Sequence, residues 1–78
     1  MKIQDLNRLA WVRSVAVSGQ ARKIREDAHL TQDELANVIT VSRPTICLWE
    51  SGKRVPRGAA ALRYASVLDM LMRGSGVV

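Results

Sequence analysis

Phenylalanine is absent from this chain of 78 residues, and tyrosine, histidine and cysteine occur once each, at Tyr64, His29 and Cys47. Each scarcity excludes something. Without a set of aromatics there are no stacking platforms of the kind that hold single-stranded nucleic acid. A lone cysteine forms no internal disulfide, so nothing requires an oxidising compartment. On the helix that carries it, Cys47 reads as a small side chain tolerated at an edge, with a redox switch as the lesser alternative. His29 has no companion Cys or His to complete a metal site, and neither a metal nor a cofactor is expected. Paired carboxylates in a cleft, a Ser/His/Asp set and a phosphate-binding loop are all missing, so an enzyme is not expected. Long hydrophobic runs are missing too. The longest, Leu9 to Val17, is interrupted by Arg13 and Ser14 and falls short of the ~20 residues that span a bilayer. No signal peptide is evident, and no membrane partner is expected.

What is present is positive charge. Twelve Lys and Arg against seven Asp and Glu give a net charge of +5 and an isoelectric point near 10.4. That balance favours polyanionic partners without choosing among DNA, RNA and an acidic membrane surface. The excess is uneven: residues 1–42 carry six basic and five acidic side chains, residues 43–78 six and two. The basic face therefore belongs mainly to the second half. A chain of this length sustains one small core, leaving no room for a sensory domain, so no small-molecule effector is expected.

Gly19, Pro44, Gly52, Pro56, Gly58, Gly74 and Gly76 punctuate the chain. The stretches between them read as helices, and none alternates with period two for long enough to make a strand. The expected fold class is all-α, a compact bundle of four to five helices with an extra helix at the N-terminus. Residues 1–18 make that helix, 19–73 the remaining domain and 74–78 a frayed, flexible tail. Asp5 is the expected N-cap of a first helix reaching Val17, and Ser18 that of a second running through Asp27. On the second, Ala21, Ile24 and Ala28 share a face, with Arg22, Lys23, Arg25 and Glu26 outward or at its edges. Thr31-Gln32-Asp33-Glu34 is a capping box in which the Glu34 side chain returns to the Thr31 amide. The helix it opens turns Leu35, Ala36, Val38 and Ile39 inward and stops after two turns at Thr40-Val41-Ser42. Ser42 caps the next, Pro44 sits in its first turn where a missing N–H costs little, and Ile46 and Trp49 form its buried stripe. Gly52 ends that helix in the left-handed conformation. A last helix opens at Pro56 and runs to about Arg73, with Leu62, Ala65, Leu68 and Met72 or Leu71 as its apolar stripe.

Two short helices joined by a turn of three or four residues form a tight pair whose second member protrudes far enough to enter a groove. Thr31-Gln32-x-Glu34-Leu35-Ala36 is followed by Val41-Ser42-Arg43-x-Thr45-Ile46-x-x-Trp49-Glu50-x-Gly52-Lys53-Arg54-x-Pro56. This spacing resembles the signature of the Xre/Cro-like, or lambda-repressor-like, helix-turn-helix family over roughly Gly19 to Leu68. The resemblance implies a sequence-specific, double-stranded DNA-binding transcriptional regulator, small and Cro-like or repressor-like. Its helix-turn-helix runs from Thr31 to about Gly52, and the helix from Ser42 to Glu50 reads the major groove. By the same resemblance Ala36 lies at the closest approach of the two helices, where a larger side chain does not fit. Ile46 and Trp49 seat the recognition helix on the core, and Arg25 and Glu50 form an ion pair that holds it in place.

Carried onto this chain, the resemblance turns Arg43, Pro44, Thr45 and Leu48 toward base edges, with Ser42 and Cys47 at the margins. Arg43 either donates two hydrogen bonds to guanine O6 and N7 or clamps a phosphate, and the sequence leaves both open. Thr45 can hydrogen-bond or touch a thymine methyl, whereas Pro44 and Leu48 make only apolar contacts, so the base code is modest. Backbone contacts fall to Thr31, Gln32 and Ser42 at helix starts. They fall also to Lys53, Arg54 and Arg57 in the loop after the recognition helix. Solvated side chains are the plainer alternative for Gln32 and for the loop cations. Thr40 departs from the family, which usually has glycine in the turn. A β-branched residue resists positive φ, so either the turn takes another path or strain is accepted.

On the first helix Ile3, Leu6, Ala10 and Val17 share one side, Leu9, Val12 and Ala16 a second, and Trp11 with Val15 a third. That arc is broader than one packing face needs. The helix is therefore expected to pack on the domain and also to offer a homodimer or partner surface, joined by Met70, Leu71 and Met72. Two such domains bind half-sites about one helical turn apart, so a pseudo-palindromic operator is expected. The competing reading is a protein-interaction module, antitoxin-like or partner-binding, with weak or no specific DNA binding. The expected location is the cytoplasm of a bacterial cell, at the nucleoid, for a bacterial or phage-encoded chain.

Overall fold

Local signals start and stop five helices in the computed structural model, which describes the backbone of residues 1–75. They are α1 (Ile3–Val17), α2 (Gln20–Asp27), α3 (Gln32–Ile39), α4 (Arg43–Glu50) and α5 (Gly58–Ser75), and no strand occurs among the described residues. The fold class is all-α, as the hydrophobic spacing implied. Two starts match their signals closely. Thr31 accepts a hydrogen bond from the Glu34 amide at 3.0 Å while its own amide donates to the Glu34 carboxylate at 2.9 Å, so two otherwise orphaned N–H groups are satisfied together. Ser42 Oγ accepts from the Thr45 amide, with Pro44 in the first turn.

Other boundaries differ from expectation, each for a local reason. Lys2, not Asp5, is the N-cap of α1. Asp5 lies at the third helical position and accepts the Lys2 amide at 3.2 Å, where its charge also favours the positive end of the helix dipole. Gly19, not Ser18, is the N-cap of α2, in the left-handed region at φ 85, while Ser18 Oγ accepts from Gln20 and donates to the Val15 carbonyl. Pro56 precedes α5 rather than opening it. It is buried and its carbonyl accepts from Arg13 Nε at 2.9 Å, leaving the Arg57 carbonyl to take the first α5 bond, from Ala61. The tail expected at 74–78 is helical as far as Ser75, supported one turn earlier by the Arg73–Asp69 pair. Residues 76–78 lie outside the described residues.

Apolar side chains from all five helices meet in one core: Leu9, Val12, Val15 and Ala16 of α1, Ala21 of α2, Leu35, Ala36 and Ile39 of α3, Ile46 and Trp49 of α4, and Ala61, Tyr64, Ala65 and Leu68 of α5. Trp49 and Tyr64 stack with ring centroids 4.9 Å apart, a preferred aromatic geometry. This contact turns α5 so that Ala61 and Tyr64 join Ala65 and Leu68 inside. The expected stripe residues Leu62 and Leu71 are only half-buried and Met72 is exposed. Val38, expected inward, is 64% exposed; α3 meets the core through Leu35, Ala36 and Ile39, and Val38 lines a surface groove with Leu62, Arg63 and Val67. Arg63 closes the far side by donating from Nε to the Ile39 carbonyl at 2.7 Å.

Candidate nucleic-acid interface

The turn between α3 and α4 is three residues long, Thr40-Val41-Ser42. Its first residue adopts the left-handed conformation, with φ 65 and ψ 45 at Thr40. The chain thus follows the path that glycine would follow and accepts the strain of a β-branched residue. The Val41 amide donates to Ala36 at 3.0 Å and the Thr40 amide to Asn37 at 3.3 Å, the paired bonds of a Schellman closure. Ala36, 2% exposed, leaves room for this close approach.

Beyond the turn, α4 divides cleanly by face. Ile46, Trp49 and Glu50 are buried; Arg43, Pro44 and Cys47 are exposed; Thr45 and Leu48 are half-buried. All four residues expected at base edges therefore reach the outer face of one eight-residue helix. Near its start the Ser42 and Thr45 hydroxyls lie 2.9 Å apart and share a hydrogen bond.

Buried polar groups fix the orientation of α4. Arg25 donates from Nε to Glu50 Oε2 at 2.6 Å and from Nη2 to Oε1 at 3.0 Å, the two-pronged geometry that strengthens such pairs. Its Nη1 donates to the Leu30 carbonyl at 2.8 Å, just ahead of α3. Hydrogen bonding to Glu50 holds the Arg25 guanidinium above its ordinary pKa, outweighing the opposite effect of burial. The expected pair is thus in place. Sequence reading missed its third member: Gln32 Nε2 donates to Glu50 Oε1 at 2.9 Å. Nothing local signals this bond, because the partners are 18 residues apart and a glutamine at a helix start has no preferred direction. The Gln32 amide is consequently anchored on α4, and the N–H groups opening α3 are held in fixed relation to that helix. Arg22, expected outward or at the edge of its helix face, lines an open cleft of about 500 Å³ with Thr31, Gln32, Asp33 and Arg43.

At its other end α4 closes with Gly52 at φ 75. The Lys53 and Arg54 amides both donate to the Leu48 carbonyl, at 3.1 and 3.3 Å. Lys53, Arg54 and Arg57 are exposed in the loop that follows. Arg43 at the start of α4 thus lines a cleft with Arg22 and the start of α3, and the loop that follows α4 carries three exposed cations.

Residues 22–71, from α2 into the last turns of α5, match the helix-turn-helix family. The chain belongs to the Xre/Cro-like helix-turn-helix family. Membership points to a regulator that binds double-stranded DNA, and the family is generally non-enzymatic. Every candidate contact residue falls within the matched segment, and α1 falls outside it. No curated protein and no solved structure is matched. Among the described residues no cluster of His, Cys, Asp and Glu could hold a metal ion, and no helix is long and apolar enough to cross a membrane.

Proposed function

We propose that this protein is a sequence-specific transcriptional regulator that inserts α4 into the major groove of duplex DNA. The observation that carries the reading is the division of α4, one face locked to the core by Ile46, Trp49 and Glu50 and the other presenting Arg43, Pro44, Thr45 and Leu48. Arg43 is the candidate reader of guanine, through the two donors of its planar fork. Thr45 and Leu48 add contacts to a thymine methyl or a neighbouring edge. Thr31, Gln32 and Ser42 meet backbone phosphates at helix starts, and Lys53, Arg54 and Arg57 anchor the register from the following loop.

The protein acts as a homodimer on a pseudo-palindromic operator. Support comes from α1, where Ile3, Leu6, Ala10 and Val17 are all exposed along one side of the helix, Ile3 at 84%. The same stripe supports the second reading, docking of a different protein. The two separate at the cations. Lys53→Ala and Arg54→Ala are expected to weaken binding to all duplexes alike and to lower the slope of log K against log salt by about one each. Arg43→Ala is expected to relax preference at one base position at a cost of about 1–3 kcal/mol. Affinity measured against salt for wild type and these variants decides; unchanged slopes and unchanged preference would remove DNA binding from the account.

A further inference from the structure

The basic loop after α4 is seven residues long, residues 51–57 between Glu50 and Gly58, and carries three exposed cations. Such a loop is useful for positioning only if it is stiff, since side chains that wander give up ordering entropy on binding. Its first half is tied to α4 by the two bonds to the Leu48 carbonyl. Its second half is tied to a helix that is not part of the matched family segment: Arg13 of α1 donates from Nε to the Pro56 carbonyl at 2.9 Å, across 43 residues of sequence. The end of the same helix reaches the beginning of the loop, where a Cβ placed on Gly52 would lie 3.6 Å from Val17 Cγ2. Arg13 is half-buried and Pro56 is buried, so the bond is partly sheltered from competing water.

We infer that Arg13 is a positioning residue for DNA binding, holding Lys53, Arg54 and Arg57 in register with the phosphate backbone through the Pro56 carbonyl, without touching DNA itself. This rests on the DNA-binding reading above. It also gives α1 a function distinct from that of its exposed stripe. The core side of α1 carries Leu9, Val12, Val15 and Ala16, which fix the helix that Arg13 extends from. Removing Arg13 frees a part-buried carbonyl at the end of the loop, leaving the core contacts intact.

The test is a cycle of four proteins: wild type, Arg13→Met, the loop variant Lys53→Ala/Arg54→Ala/Arg57→Ala, and their combination. Duplex affinity is measured as a function of salt. Arg13→Met is expected to lower the salt slope by about one in the wild-type loop and to leave it unchanged in the loop variant, because its effect passes through the loop. An equal drop in both backgrounds would mean that Arg13 contacts phosphate directly and would overturn the proposal, as would no drop in either. Hydrogen exchange at the Lys53 and Arg54 amides, measured without DNA, gives the independent readout: exchange in Arg13→Met is expected to be several-fold faster, and unchanged exchange would refute the brace. If wild type fails to bind duplex DNA, the functional reading falls, and the exchange rates alone decide whether Arg13 holds the loop. Arg13→Gln takes the place of the methionine variant, with the same expectations, if the latter does not fold.

Discussion

Tyr64 is buried and packed on Trp49, and its hydroxyl has no hydrogen-bond partner among the described residues. A buried hydroxyl left in that state costs about 1–3 kcal/mol, so Tyr64→Phe is expected to raise stability to urea by about 1 kcal/mol. A loss of that size would show the hydroxyl to be hydrogen-bonded. Burial also holds the phenol above its ordinary pKa of 10.0, with Glu50 acting in the same direction and Arg25 against it. The folded protein then keeps a proton that the unfolded chain has released. Stability is intact below pH 10 and is lost as pH rises toward the native value. As Tyr64 is the only tyrosine, tyrosinate absorbance follows this titration directly, and the alkaline loss should be smaller in Tyr64→Phe. At this scale the sequence was partly legible. Arg25 and Glu50 could be paired from their places in the family pattern, whereas the Gln32 and Arg13 bonds join residues whose partners only the tertiary fold brings near.

At the scale of the elements, three successive helices end the same way. The Leu30 amide returns to Arg25, Val41 to Ala36 and Lys53 to Leu48, and the residue before each is left-handed: His29 at φ 60, Thr40 at φ 65 and Gly52 at φ 75. Only the last is glycine. Left-handed backbone costs a β-branched residue about 1–3 kcal/mol, so Thr40→Gly is expected to stabilise the protein by about 1 kcal/mol, readable as a higher urea midpoint. No gain, or a loss, would mean that the Thr40 hydroxyl, which donates to the Ile39 carbonyl, offsets the strain. The three closures explain which ends could be read in advance. Gly52 announces its own, but His29 and Thr40 are driven left-handed by the packing of the helices they join. Starts were easier, because a capping side chain sits beside the helix it caps. Thr31 and Ser42 were legible for that reason, and Asp5 was displaced because a carboxylate can serve either at the cap or three residues into the helix.

For the molecule as a whole, α1 is both inside and outside the design. Leu9, Val12, Val15 and Ala16 belong to the common core, yet the family match begins at residue 22. The alternation of three apolar sides on this helix told only that one packing face was not enough; which side is buried depended on where α5 lies. The body measures 34 × 27 × 22 Å, comparable to the ~34 Å that separates half-sites one helical turn apart. The claim at stake is that α4 reads duplex sequence, and the most direct measurement is selection of bound sequences from a random duplex pool at about 150 mM salt, with wild type and Arg43→Ala in parallel. Wild type is expected to yield a two-fold symmetric motif that loses information at one position per half-site in the variant. No enrichment from wild type would contradict it and leave the exposed side of α1 as the protein's working surface.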